Sequence, residues 1–303
     1  MQDGFVTYSA NGKPARSGLL LDGRVHDVVA LTNDPGLATT RGILERWDEV
    51  SSQLFEAAAE TKQAGIALED CTLLAPVTNP GAVYCAGANY RDHVVNMARK
   101  LNIEPEPDPH EAGLSPWHFI KSSWCVVGPD AKVELDAQFL DWEAELAVVI
   151  GRKARHVPVE KVFDHIAGYM IGNDLSARDR IIRPGVPLAS PFRFDWIGQK
   201  NFDGACPLGP VLVPRDRVAY PQGLAIKTTV NGVLKQDSST SEMIFNIAEQ
   251  VSHLSTRLTL HPGDVILTGT PAGTGAESGQ HINRGDQVLI SIEGLGTLRT
   301  FIV

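Results

Sequence analysis

Cysteines, basic runs and long apolar runs are all scarce in this sequence, and each shortage excludes a class of protein. Four cysteines occur in 303 residues, Cys71, Cys85, Cys125 and Cys206, and no two form a CxxC pair. A disulfide framework is therefore not expected, and the thiols read as reduced and mostly buried. Lysine and arginine number 27 against 36 acidic residues, a net charge of −9. Binding phosphate backbones takes a concentrated basic footprint, and none is present, so nucleic acid is not an expected partner. A small anionic molecule stays compatible with this charge where a metal or local Arg and Lys reverse the field. No run approaches the ~18 apolar residues of a membrane span. The opening Met1-Gln2-Asp3-Gly4 lacks the charged-then-apolar pattern of a signal peptide. Together these features predict a cytoplasmic chain with no membrane partner.

What is present has ordinary globular proportions, with 43% hydrophobic and 21% charged residues. The length fits one large domain or two unequal ones. Residues 1–75 read as a small N-terminal domain. Apolar stretches at 5–8, 17–21 and 25–29 predict strands, with Asn11-Gly12 and Asp22-Gly23 supplying turn chemistry. Ile43, Leu44, Trp47, Val50, Leu54 and Ala58 repeat at helical spacing and predict one helix over 40–63. The Pro- and Gly-bearing stretch 75–81 reads as a boundary, leaving 76–303 as a second, strand-rich domain. Strands are predicted there at 83–87, 143–150, 208–213, 225–230, 264–267 and 287–293. Helices are predicted at 92–101, 158–162 and 241–254. Residues 102–116, rich in Pro, Glu and Gly, predict a long mobile loop of the kind that often serves as a lid.

The most informative stretch runs from Leu140 to Gly151, LDWEAELAVVIG. Its Val and Ile content predicts a strand, in which residues two apart share a face. Glu143 and Glu145 would then project side by side. The run Leu146 to Ile150 is apolar at every position, which implies burial on both faces. Two neighbouring carboxylates that lose water need protonation, a basic partner or a cation. Hard oxygen ligands suit Mg²⁺, Mn²⁺ or Ca²⁺. Asp174, where the apolar stretch 167–173 ends, is a third candidate ligand, with a helix N-cap as its plainer role.

These segments resemble the fumarylacetoacetate hydrolase family. The likeness rests on an ordered set of words: Asn89-Tyr90-Arg91-Asp92-His93, the 141–151 stretch, and Gly172-Asn173-Asp174-Leu175-Ser176-Ala177-Arg178-Asp179. Gln199-Lys200-Asn201-Phe202-Asp203-Gly204, Cys206-Pro207-Leu208-Gly209-Pro210 and Val230-Asn231-Gly232 continue it. Residues 262–273, PGDVILTGTPAG, and Glu293-Gly294-Leu295-Gly296 complete it, so that it spans roughly residues 76–303. The resemblance implies an α+β, β-rich fold, a mixed β-sandwich roll that is often dimeric, behind a variable small N-terminal domain. It implies Mg²⁺ or Mn²⁺ held by Glu143, Glu145 and Asp174, and a small 2-oxo or 2,4-dioxo acid as substrate. The first reaction it suggests is hydrolysis of a C–C bond in an acylpyruvate-like acid. Decarboxylation, dehydration or isomerisation of a 2-oxo acid would use the same centre.

His93 is the candidate base, since an imidazole titrates near neutral pH. Within the family's words, Lys200 would stabilise negative charge on the substrate. Gln199 and Thr270 would contact the substrate, and Arg183 would meet a distal carboxylate. Many relatives carry a Glu three residues after this His; here the position is Asn96. The expected acid–base pair is thus incomplete, with Glu104, Glu106 and Glu111 of the following loop as possible replacements. That departure also motivates a non-catalytic reading, in which metal and acid bind without turnover.

Overall fold

The computed structural model describes residues 2–105 and 107–303. A large mixed sheet runs through the molecule. Its main path joins Ile66–Ala67, Arg24–Asp27, Arg16–Leu21, Gly4–Ser9, Cys206–Pro214, Ile166–Asn173, Ala144–Ile150, Val265–Leu267, Val83–Ala86 and His118–Lys121 in that spatial order. The N-terminal strands belong to the same sheet as the central ones, because Phe5 pairs with Leu212. A second sheet orders Val233–Ser239, Ala225–Val230, Gln287–Ile292, Gly296–Ile302 and Ala131–Val133. The architecture is the β-rich α+β one that the strand-dense sequence predicts.

Alternation along the central strand explains its unbroken apolar run. Leu146, Val148 and Ile150 join one core with Ile226, Val288, Ile290 and Leu298 of the second sheet. Ala147 and Val149 join another with Ile43, Leu44, Val50 and Leu54 of the N-terminal helices. The main sheet therefore lies between helices and a second sheet. A strand buried on both faces has no position left for a polar residue, except at its end.

The predicted helix over 40–63 is two helices, Thr40–Glu45 and Trp47–Glu60. Arg46 interrupts them with non-helical backbone, and its guanidinium pairs with Asp34 and Glu49. Apolar periodicity alone does not register a break that keeps both segments on one buried face. Val28, at the end of the third predicted strand, opens a short helix capped by Asp27. The predicted helix at 241–254 begins later, at Ile247, where Asn246 and Glu249 form a reciprocal cap. The segment after the Arg91–Leu101 helix is pinned where His110 meets Glu249 and Asp108 meets Arg91.

Candidate metal and acid–base centre

Strand register gathers the three predicted carboxylates. Ala144 pairs with Asn173 and Glu145 with Gly172, and the Asp174 amide donates to the Glu143 carbonyl at 2.9 Å. One ligand oxygen from each of Glu143, Glu145 and Asp174 lies within 4.8 Å of the other two. All three side chains are buried. Glu143 stands just before its strand, and Glu145 within it. Asp174 caps no helix: the chain continues into the Ser176–Ala177 strand, and the 3-10 turn after it has no side-chain cap.

The electrostatics are unequal. Burial would raise Glu143, but Lys200 and then Arg178 outweigh it and hold the carboxyl well below its ordinary value. Lys200 donates to Glu143 Oε2 at 2.9 Å and to Asp174 Oδ2 at 2.8 Å. Burial opposes the charge of that ammonium, yet Asp174 and Glu143 raise its pKa overall. Glu145 is pushed well above the usual carboxylate range, first by burial and then by repulsion from Asp174 and Glu143. Its hydrogen bond comes from a neutral donor, the Gly269 amide at 2.6 Å.

Asp174 differs, since its charge is offset by Lys200 and Lys121, each 2.8 Å from one of its oxygens. The Lys121 ammonium donates to the carbonyls of Leu175, Lys200 and Ala205. Among the described residues, Asp174 Oδ1 has no hydrogen-bond donor. Three clustered buried carboxylates, one of them short of counter-charge, supply the hard oxygen ligands that suit a divalent cation.

Facing the triad is a cavity of about 570 Å³ lined by Glu143, Lys200, Gln199, Thr270 and His93, among others. The structure thus brings together five predicted residues around one space, with Glu145 and Asp174 behind Glu143 in the cluster. Gln199 is buried, and among the described residues its Oε1 accepts no hydrogen bond, so it can meet a donor on a bound molecule. Thr270 Oγ1 accepts from Gln236 Nε2 at 2.9 Å. Arg183 does not line this space; it pairs with Asp195 at 3.0 Å with half its side chain exposed.

The carboxylate absent at position 96 is supplied by another element. His93 Nδ1 meets Glu277 Oε1, and Asn96 Nδ2 donates to Glu277 Oε2 at 3.1 Å. Glu277 sits in the short helix Gly275–Ser278, capped by Thr274. Asp141 fixes that helix by accepting from the amides of Gly275 and Ala276, at 2.6 and 2.9 Å. Burial alone would raise Glu277, but His93 and the Gly273 amide lower it below the ordinary carboxylate value. Asn96 is therefore a donor that orients the acid rather than a vacant place in the pair. Glu104 and Glu111 do not line this cavity, and Glu106 lies outside the described residues.

Sequence reasoning missed Glu277, Lys121 and Gln236. Thr274 followed three residues later by Glu277 is a capping-box spacing, the one local sign of an ordered helix start there. Nothing local marks Lys121 or Gln236, since an isolated polar residue in a strand ordinarily faces water.

The fumarylacetoacetate hydrolase C-terminal family model matches residues 82–303. A curated relative, the mitochondrial oxaloacetate tautomerase fahd2 of Xenopus laevis, is 35% identical over 99% of this chain and 90% of its own. Among solved structures, a fumarylacetoacetate hydrolase from Exiguobacterium antarcticum superposes with a TM-score of 0.76 at 30% identity, covering 99% of both chains. A 2-hydroxyhepta-2,4-diene-1,7-dioate isomerase from Mycobacterium marinum gives 0.71 at 30% identity, covering 100% of this chain and 99% of its own. Among the described residues, no helix is long and apolar enough to cross a membrane.

Proposed function

We propose that this chain, which belongs to the fumarylacetoacetate hydrolase family, catalyses keto–enol tautomerisation of a small 2-oxo acid. The observation that carries this reading is the His93–Glu277 couple on the cavity that Glu143 and Lys200 also line. One positioned base with its own carboxylate suffices for moving a proton between carbon and solvent. The relative whose printed name is oxaloacetate tautomerase supports the same choice.

Glu143, Glu145 and Asp174 would hold Mg²⁺ or Mn²⁺. When bound, the ion supplies positive charge beside the carboxylate and keto oxygens of the acid. In the ketonising direction the enol O–H proton leaves and C3 gains one, so the overall change is a proton relocation with no redox step. His93 delivers or removes the C3 proton through Nε2, while Glu277 at Nδ1 holds the ring's tautomer and steadies its charged form. Lys200 adds charge where negative charge develops. Gln199 offers its unpartnered Oε1 to a donor on the substrate, and Thr270 its hydroxyl.

A second reading, hydrolysis of a 2,4-dioxo acid, is favoured by the same couple, because a His–carboxylate pair also activates water. The hydrolase from Exiguobacterium antarcticum supports it. The two readings separate in one assay. Enol-oxaloacetate absorbance should decay faster with protein and Mg²⁺ or Mn²⁺ than with metal alone. Acetylpyruvate should release no pyruvate. Pyruvate release without enol decay would replace tautomerisation by hydrolysis, and CO₂ from oxaloacetate would point to decarboxylation.

A further inference from the structure

Part of the cavity wall is aromatic, and tautomerisation of a four-carbon acid leaves it unused. Trp117, Phe119 and Trp196 line the same space as Lys200 and Glu143. Their rings touch one another: Trp117 and Trp196 meet edge to face at 5.6 Å, and Phe119 and Trp196 stack at 5.7 Å with 25° between planes. The wall begins at the reacting end of the cavity, because Lys200 Nζ lies 4.8 Å from the Phe119 ring centroid. Trp196 and Lys200 are four residues apart on the Trp196–Lys200 helix and so share a face, about 6 Å apart along the axis.

The wall is built into the backbone. A Cβ at Gly87 would come within 2.0 Å of the Trp117 ring, so only glycine lets the indole lie there. Trp117 and Trp196 nevertheless stay 46% and 42% exposed, large apolar faces left uncovered beside a site. Charge complements this picture. Of the basic side chains lining the cavity, His93 is held by Glu277, Arg178 by Asp141 and Glu143, and Lys200 by Glu143 and Asp174. Lys100 has no carboxylate partner among the described residues; it donates to the Ala276 carbonyl, on the side formed by the Arg91–Leu101 and Gly275–Ser278 helices. The aromatic wall itself offers no unpaired cation for a second carboxylate.

We infer that the site is shaped for 2-oxo acids whose C3 carries a planar, uncharged substituent, an aryl or conjugated alkenyl group, seated against Trp117, Phe119 and Trp196. This rests on the tautomerisation reading and narrows its substrate class. The test compares ketonisation of enol phenylpyruvate and enol-oxaloacetate in the Mn²⁺-loaded protein, followed by loss of enol absorbance. Phenylpyruvate should have the higher kcat/KM. In W196A the ratio of kcat/KM for phenylpyruvate over oxaloacetate should fall roughly tenfold, the scale of a lost aromatic contact, mainly through KM. An unchanged ratio would overturn the inference. So would a preference for oxaloacetate that K100A abolishes, since the distal group would then be a carboxylate on Lys100. If neither acid turns over, the tautomerisation reading fails, but binding still decides the pocket. Phenylpyruvate quenching tryptophan fluorescence at concentrations where pyruvate does not would uphold the aromatic subsite, and equal quenching would reject it.

Discussion

Glu145 has the least compensated charge in the site: burial and two neighbouring carboxylates oppose its ionisation, and Lys200 and the Gly269 amide do not offset them. Replacing it by Gln keeps an acceptor for Gly269 and removes the repulsion. Metal-free E145Q should therefore melt at or above the wild type in calorimetry, yet lose the Mn²⁺-dependent gain. At about 100 times Kd that gain is about 2.7 kcal/mol in the wild type, several degrees in Tm. A full Mn²⁺ shift in E145Q would remove Glu145 from the ligand set. The acid–base pair gives a second expectation. E277Q should lose on the order of 10²–10⁴ in kcat/KM. N96E, which looks like a restoration in the sequence, should also lose activity, because it sets a second carboxylate against Glu277. N96E with E277Q should recover part of the loss; an N96E enzyme faster than wild type would mean that position 96 is where the acid belongs. His118 gives a pH dependence. Burial, with His253 stacked on it at 6.4 Å, lowers its pKa to about 4. The folded protein thus binds fewer protons than the unfolded chain between pH 6.5 and about 4. Stability is fully present above the unfolded value and falls with pH across that window, by on the order of 3 kcal/mol in all. Thermal melts of H118Q should show a flatter acid limb there. The triad, His93 and Lys200 were legible because each sits inside a distinctive run of residues. Glu277 was not, because its partner His93 is 184 positions away and only folding brings them together.

The turn Thr268-Gly269-Thr270 orients Glu145, one of the three candidate ligands, through the Gly269 amide. Gly269 has φ +100°, and a Cβ there would lie 2.8 Å from the Asn89 Cβ. Asn89 in turn donates to the Thr268 carbonyl at 2.8 Å, locking the turn that offers its amide to Glu145. G269A should therefore cost stability on the order of 1–3 kcal/mol and weaken metal binding at the same time. A stable G269A protein with unchanged Mn²⁺ affinity would show that the turn is spectator structure. Strands were readable from a short bounded apolar run, as in residues 146–150, or from alternation of buried and less buried residues, as in Ala225–Val230. The breaks at Arg46 and before Asn246 were not, since ion pairing and capping decide them and hydrophobic period does not.

At the scale of the whole molecule, one sheet carries the N-terminal strands and the central strands together, and the triad sits where two fully buried central strands end. Burial on both faces makes those strand ends rigid, and rigidity is what a constellation of like charges requires. The Gly275–Ser278 helix and the Arg91–Leu101 helix, far apart in sequence, meet on one side of the cavity and pair Glu277 with His93. On the proposed function, triad and couple form one centre for moving a proton at C3 of a 2-oxo acid. Deuterium exchange at C3 of 2-oxobutanoate, followed by NMR, tests that claim without depending on which natural substrate is used. Exchange above background is expected in the Mn²⁺-loaded wild type, with a drop of about 10²–10⁴ in E277Q and none above background after chelation. Exchange that survives in both E277Q and the chelated protein would contradict it.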